Sequence, residues 1–192
     1  MAIAGWTWLN EPGAWRDEEG VLTVTTEHGS DFWRVTHYGF VRDTGHFAFR
    51  EQTGDFDAAV TIAGSYRERY DQAGLMVRLD ESTWLKTGIE FVDGVQYASA
   101  VVTRGFSDWS VAPLPENPET VHFRLTRRDA AIGIHYAAGN GPETLLRLAY
   151  LSPAPTLQVG PMCASPDGAG FPVAFRNFAL HAVSPNPTAP TG

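Results

Sequence analysis

One cysteine, Cys163, in 192 residues rules out an intrachain disulfide framework, and a lone thiol fits a reducing compartment. No apolar run approaches the roughly 18 to 20 residues of a membrane-spanning helix. The opening Met1-Ala2-Ile3-Ala4-Gly5-Trp6-Thr7-Trp8 lacks the basic and continuous apolar segments of a secretory signal. The sequon-like Asn186-Pro187-Thr188 is disqualified by its proline. A soluble cytoplasmic protein is the expectation, with no membrane contact. Positive charge is also scarce: 14 Lys+Arg against 22 Asp+Glu, a net charge of −8, which argues against nucleic acid, whose binding rests on cationic contacts to phosphate. Cofactor motifs are missing too. His28, His37, His46, His122, His135 and His181 show no zinc-ligand spacing, and lone histidines on strands are usually structural. No loop has the oxygen-ligand rhythm of an EF-hand. No P-loop or Gly-Xaa-Ser-Xaa-Gly elbow occurs. No metal and no cofactor are expected.

Helical periodicity is absent as well; the chain alternates with period two, the pattern of half-buried strands. Trp6 and Trp8 share one side of a short strand, and Val21–Thr26, His46–Arg50 and Phe56–Ile62 follow as strands. Arg16 to Gly20, with Asp17-Glu18-Glu19, reads as a solvated turn. Val121–Leu125, Ile132–Tyr136, Leu145–Leu151, Leu157–Cys163 and Phe171–Val183 add further strands. Alternation with Leu157 and Val159 turns Cys163 toward the core, as an inert thiol. Many short strands between turns predict an all-β, antiparallel two-sheet jelly-roll sandwich. One domain over residues 1–183 and a proline-rich tail over 184–192 are expected.

The most informative stretch runs from Tyr70 to Thr103. Leu75, Val77 and Leu79 oppose Gln72, Gly74, Met76 and Arg78; Leu85, Thr87, Ile89 and Phe91 oppose Trp84, Lys86, Gly88 and Glu90. Asp93-Gly94 predicts a two-residue hairpin turn. It pairs Glu90 with Tyr97, Gly88 with Ser99, Lys86 with Val101 and Trp84 with Thr103, in agreement with the apolar pattern. Upstream, pairing Leu79 with Thr83 sets Gln72 beside Glu90 and Gly74 beside Gly88. The competing Asp80–Trp84 register places Arg78 opposite Lys86, a like-charge contact. The two glycines then form a bare floor on the site face. A two-residue Gly105-Phe106 turn puts Asp108 on that face and Trp109 inward; a slip of one residue reverses both. Candidate ligand-binding residues are Gln72, Arg78, Trp84, Lys86, Glu90, Tyr97, Ser99, Asp108, Trp109 and Trp33, with Trp84 as a stacking platform.

Tyr70-Asp71-Gln72-Ala73-Gly74-Leu75-Met76-Val77-Arg78, Trp84-Leu85-Lys86-Thr87-Gly88-Ile89-Glu90 and Ser107-Asp108-Trp109-Ser110 resemble the regulation-of-enolase protein family. Asp31-Phe32-Trp33 and Val159-Gly160-Pro161-Met162-Cys163-Ala164-Ser165-Pro166 fit it too, so the resemblance spans roughly residues 5 to 180. Thr87, where alanine is expected, is the one departure noticed. The resemblance implies a concanavalin A-like lectin/glucanase sandwich and no established reaction. Three functions follow as expectations. The first is a non-catalytic carbohydrate-binding or carbohydrate-metabolism-associated domain with an oligosaccharide or small-molecule ligand. The second is a glycoside hydrolase using Glu90, with Asp108 as the second acid. Retaining hydrolysis needs carboxyl groups about 5 to 5.5 Å apart and inverting hydrolysis about 6.5 to 9.5 Å, yet the Trp84/Lys86/Gly88/Glu90 face shows one acid. The third is an interaction module for a metabolic enzyme such as enolase. Against all three stands a plain reading in which Lys86 and Glu90 form a surface ion pair, worth under about 1 kcal/mol, and Trp84 merely covers sheet.

Overall fold

The computed structural model describes residues 5–184; the proline-rich segment after Ser184 lies outside the described residues. The chain lays down β1 (Thr7–Leu9), β2 (Ala14–Glu18), β3 (Val21–Thr25), β4 (Phe32–Arg34), β5 (Val41–Asp43), β6 (His46–Thr53) and β7 (Phe56–Gly64). Then come β8 (Gln72–Asp80), β9 (Thr83–Val92), β10 (Val95–Arg104), β11 (Phe106–Pro113) and β12 (Val121–Arg128). The last are β13 (Ala131–Ala138), β14 (Thr144–Tyr150), β15 (Thr156–Ala164) and β16 (Pro172–Ala182). They form two seven-stranded antiparallel sheets, ordered β1-β6-β15-β8-β9-β10-β11 and β14-β13-β12-β7-β16-β3-β2, plus the ribbon β4-β5. The principal core lies between the sheets, where Leu75, Leu85 and Ile89 of the first join Ile62, Phe123 and Phe175 of the second. Cys163 belongs to it, and burial pushes its thiol well up.

The Asp93-Gly94 register is as derived: Val92 faces Val95, Glu90 faces Tyr97 and Trp84 faces Thr103. β8 and β9 pair Gln72 with Glu90, Gly74 with Gly88 and Arg78 with Trp84. The pairing ends in a bulge that sets Asp80, not Leu79, opposite Thr83 and leaves Leu79 39% exposed. Arg16 to Glu18 is not a turn but part of β2, paired with β3. At an edge, exposed side chains are compatible with a strand, so charge alone does not mark a loop.

Both faces of β8 and β9 are buried through most of their length. A second apolar cluster, including Phe32, Phe47, Met76, Trp84, Val101 and Met162, occupies the first sheet's outer face. Phe32 comes from the ribbon, which lies across that face. Trp84 is therefore fully buried, its ring 6.1 Å from that of Phe32.

Candidate functional site

Three short strand residues cannot hold a ribbon by ladder bonds alone, and side chains of the sheet anchor it. Arg78 donates two hydrogen bonds of 2.7 Å to the Asp43 carboxylate, fork to fork. Asn10 Nδ2 donates to the Asp43 and Gly45 carbonyls at 2.8 Å, and the Arg34 N–H donates to Ser107 Oγ at 2.9 Å. Lys86 Nζ reaches up to the Phe32 carbonyl at 2.7 Å.

Lys86 is the sole lysine of the sequence, and it is buried. Its ammonium also donates to Gln72 Oε1 at 2.6 Å and lies 3.7 Å from Asp31 Oδ1. Two of its three N–H groups are thus used. Glu90 flanks it, also buried, with Oε2 accepting from Ser99 Oγ at 2.7 Å and Trp109 Nε1 at 2.8 Å. Glu90 Oε1 takes no hydrogen bond among the described residues. Burial raises the Glu90 pKa, and Lys86, Ser99 and Trp109 pull it back only in part. Asp31, Gln72, Lys86 and Glu90 form the polar floor of a cleft of about 360 Å³.

Aromatic rings wall it. Trp33, Tyr38 and Phe40 come from the ribbon and its connecting loop, Tyr70 from the loop before β8, and Trp109 from β11. Tyr38 stacks on Phe40 at 5.3 Å and meets Trp33 edge-on at 5.6 Å, while Tyr70 stands edge-on to Trp109 at 6.4 Å. The Tyr38 and Tyr70 hydroxyls are 3.2 Å apart and link the two loops; burial and this bond push the Tyr70 pKa up to about 12. A second space of about 680 Å³ adjoins the first, sharing Trp33, His37, Tyr38, Arg69, Tyr70 and Trp109. Val35, His37 and Tyr70 adopt φ of 62°, 65° and 67°. Left-handed backbone at such residues costs about 1 to 3 kcal/mol each and clusters at functional sites.

Of the ten residues expected to bind ligand, the structure brings Trp33, Gln72, Lys86, Glu90 and Trp109 to this cleft. Ser99 lies behind Glu90 as its hydrogen-bond donor. Trp84 is sealed beneath Phe32 and offers no stacking surface. Arg78 is committed to Asp43, and Tyr97 lines neither space. Asp108 is a correction. β11 reverses around Gly105 alone, at φ 77°, pairing Thr103 with Ser107, Val101 with Trp109 and Val102 with Asp108. Trp109 therefore faces the cleft, whereas Asp108 lines the adjoining space and not the cleft, its carboxylate paired with Arg147 at 2.9 Å. The glycine floor is corrected as well. A Cβ on Gly74 would stand 1.8 Å from the Thr87 carbonyl oxygen, and one on Gly88 would stand 2.1 Å from that of Ala73. These glycines permit close approach of β8 and β9, not of a ligand. The Lys86–Glu90 surface pair is also absent: both are buried, and the carboxylate within 4.0 Å of the ammonium is that of Asp31. Asp31, His37, Tyr38, Phe40, Arg42, Arg69, Tyr70, Pro166 and Asp167 complete the cleft without having been expected. They sit in loops and a ribbon too short to show periodicity, although Asp31 and Tyr70 open two of the family-like runs.

Residues 8–183 match the family described as Protein of unknown function (DUF1349). "Regulation of enolase protein 1" of Saccharomyces cerevisiae is 41% identical over 186 residues, covering 97% of this chain and 90% of that protein. The chain belongs to this regulation-of-enolase family. A functionally unknown protein from Saccharomyces cerevisiae of solved structure superposes with a TM-score of 0.89 at 40% identity, covering 94% of this chain and 97% of that one. A carbohydrate-binding module from Bacillus subtilis, CBM66, superposes at 0.61 with 15% identity over 93% of this chain and 96% of that one. Bacteroides ovatus xyloglucan PUL GH43B does so at 0.73 with 18% identity over 95% of this chain and 38% of that one. At such identities these two show the fold alone: a concanavalin A-like jelly-roll sandwich.

Proposed function

We propose that this protein is a non-catalytic carbohydrate-binding domain whose ligand lies in the aromatic-walled cleft at the β4-β5 ribbon. The observation behind it is the joining of Trp33, Tyr38, Tyr70 and Trp109 around a floor with a free carboxylate oxygen on Glu90 and an unspent N–H on Lys86. Flat apolar walls match the C–H faces of a sugar ring, and an adjacent donor and acceptor match its hydroxyls. A glycan screen with intact protein, followed by calorimetry, tests the reading. Binding that falls at least tenfold in both Trp33→Ala and Trp109→Ala supports it. No binding of neutral or acidic oligosaccharides at millimolar concentration would sink it.

Glycoside hydrolysis is a second reading, favoured by one observation: a second acid, Asp31, shares the floor with Glu90, whose burial favours the protonated form. It predicts sugar release from aryl glycosides that Glu90→Gln abolishes; turnover unchanged in that variant removes Glu90 from any mechanism. An effect on enolase is carried by the name of the yeast relative. For this chain it enters as the proposal that ligand occupancy links the domain to carbohydrate metabolism.

A further inference from the structure

We infer that the ligand is anionic: a sugar of monosaccharide scale bearing one carboxylate or phosphate, which Arg42 and Arg69 receive at the rim of the cleft. The inference rests on the carbohydrate reading above. Both arginines line the cleft. Arg42 holds its guanidinium 4.6 Å from the centroid of Phe40, and Arg69 holds its own 4.7 Å from that of Tyr70. Stacking on a ring fixes the plane of a guanidinium while leaving its N–H edges free. Those edges are unspent here: among the described residues neither guanidinium has a carboxylate within 4.0 Å or donates a hydrogen bond.

The charge arrangement gives the ligand its sign. On the floor, the Lys86 cation is answered by Asp31 at 3.7 Å and by Glu90, whose carboxyl it stabilises in the charged form. On the rim, the two guanidiniums meet one acid, Asp167, which pairs with neither. A chain of net charge −8 has acids to spare, yet leaves these two cations, Arg42 half-buried and Arg69 exposed, without an ion pair at the edge of the cleft. A planar fork matches carboxylate and phosphate oxygens bidentately. A sugar ring seated between the aromatic walls, with hydroxyls on the floor, would direct its anionic substituent outward to the forks.

The experiment is titration of wild type, Arg42→Gln and Arg69→Gln with glucose, glucuronate and glucose 6-phosphate, by calorimetry or quenching of tryptophan emission. Acetate and inorganic phosphate serve as controls. The expected result is at least tenfold preference for one or both anionic sugars over glucose. It should weaken with added salt and fall about five- to tenfold in each variant, a larger loss than any change in glucose affinity. Preference for glucuronate alone or glucose 6-phosphate alone identifies the carboxylate or the phosphate as the group received. Glucose binding as tightly as both overturns the inference and leaves the carbohydrate reading standing. Acetate or phosphate binding as tightly as the sugars overturns the need for a sugar ring. No binding by any of the five, with the folded state verified by circular dichroism, overturns both.

Discussion

Replacing Lys86 by methionine tests whether the cleft floor is a buried charge network rather than a set of incidental contacts. Methionine retains much of the stem and suits the neighbouring Trp84 and Met162, so the loss is that of the ammonium. Two acceptors, the Phe32 carbonyl at 2.7 Å and Gln72 Oε1 at 2.6 Å, lose their donor. Orphaned buried acceptors cost roughly 1 to 3 kcal/mol each, though rotation of the Gln72 amide recovers part. The Asp31 and Glu90 carboxylates, both buried, also lose their cation. Removing one partner of a buried ion pair costs about 3 to 5 kcal/mol. With those contributions overlapping, about 3 to 5 kcal/mol is expected, or a Tm lowered by roughly 6 to 20 °C for a domain of this size. The sign with pH follows from Glu90. Its folded pKa is raised above the ordinary 4.5 even with Lys86 pulling it down. A raised carboxyl contributes stability that is full below its unfolded pKa and lost as pH rises through the folded one. Without Lys86 the folded value climbs further, so the gap between variant and wild type widens from pH 4 to pH 7. Thermal unfolding at both pH values reads this directly. A variant that melts within about 2 °C of wild type, or a gap that does not change with pH, would refute the network.

Three further outcomes are expected. Glu90→Gln raises Tm at pH 7, because it removes a buried charge while its amide oxygen still accepts from Ser99 and Trp109; the gain vanishes near pH 4, and destabilisation at pH 7 would contradict the burial argument. Gly74→Ala drives a Cβ into the Thr87 carbonyl and the Gly88 Cα, backbone atoms that move only by opening the ladder; a loss of about 4 kcal/mol or more is expected, read as soluble yield and Tm. Asp108→Asn leaves sugar affinity unchanged and costs less than about 1 kcal/mol in urea unfolding, since its side chain is 71% exposed and its pair with Arg147 is screened; a fall in affinity would return Asp108 to the site.

The fold was legible because alternation and turn chemistry agree. Asp93-Gly94 sets the β9–β10 register unaided, and the apolar residues of β8 then admit one satisfactory partner alignment. Gly105 shows where such reasoning stops. One glycine at positive φ reverses the chain as readily as a Gly-Phe pair, and the difference of one residue exchanges Asp108 for Trp109. Alternation also identifies a face without saying what covers it. Trp84 and Lys86 read as a ligand platform until the ribbon is laid over them, three-residue strands too short to announce themselves. Asp31 enters the site only through that covering. Alternation places Lys86, Glu90 and Gln72 on the right face, whereas Trp109 reaches it only through the one-residue turn at Gly105; their partners depended on loops that no local pattern specifies.

The position of Lys86 has a chemical consequence of its own. All the other basic side chains of this sequence are guanidinium or imidazole groups, so the floor of the cleft holds its only side-chain primary amine. Acylating and reductive-alkylating reagents, and enzymes that modify lysine, find no side chain of that kind on the described surface. Side-chain amine modification of the native protein should be slow, confined to one position, and slower still with the cleft filled. The rate at which that single amine reacts is then a gauge of occupancy, one that requires neither a label nor an identified ligand.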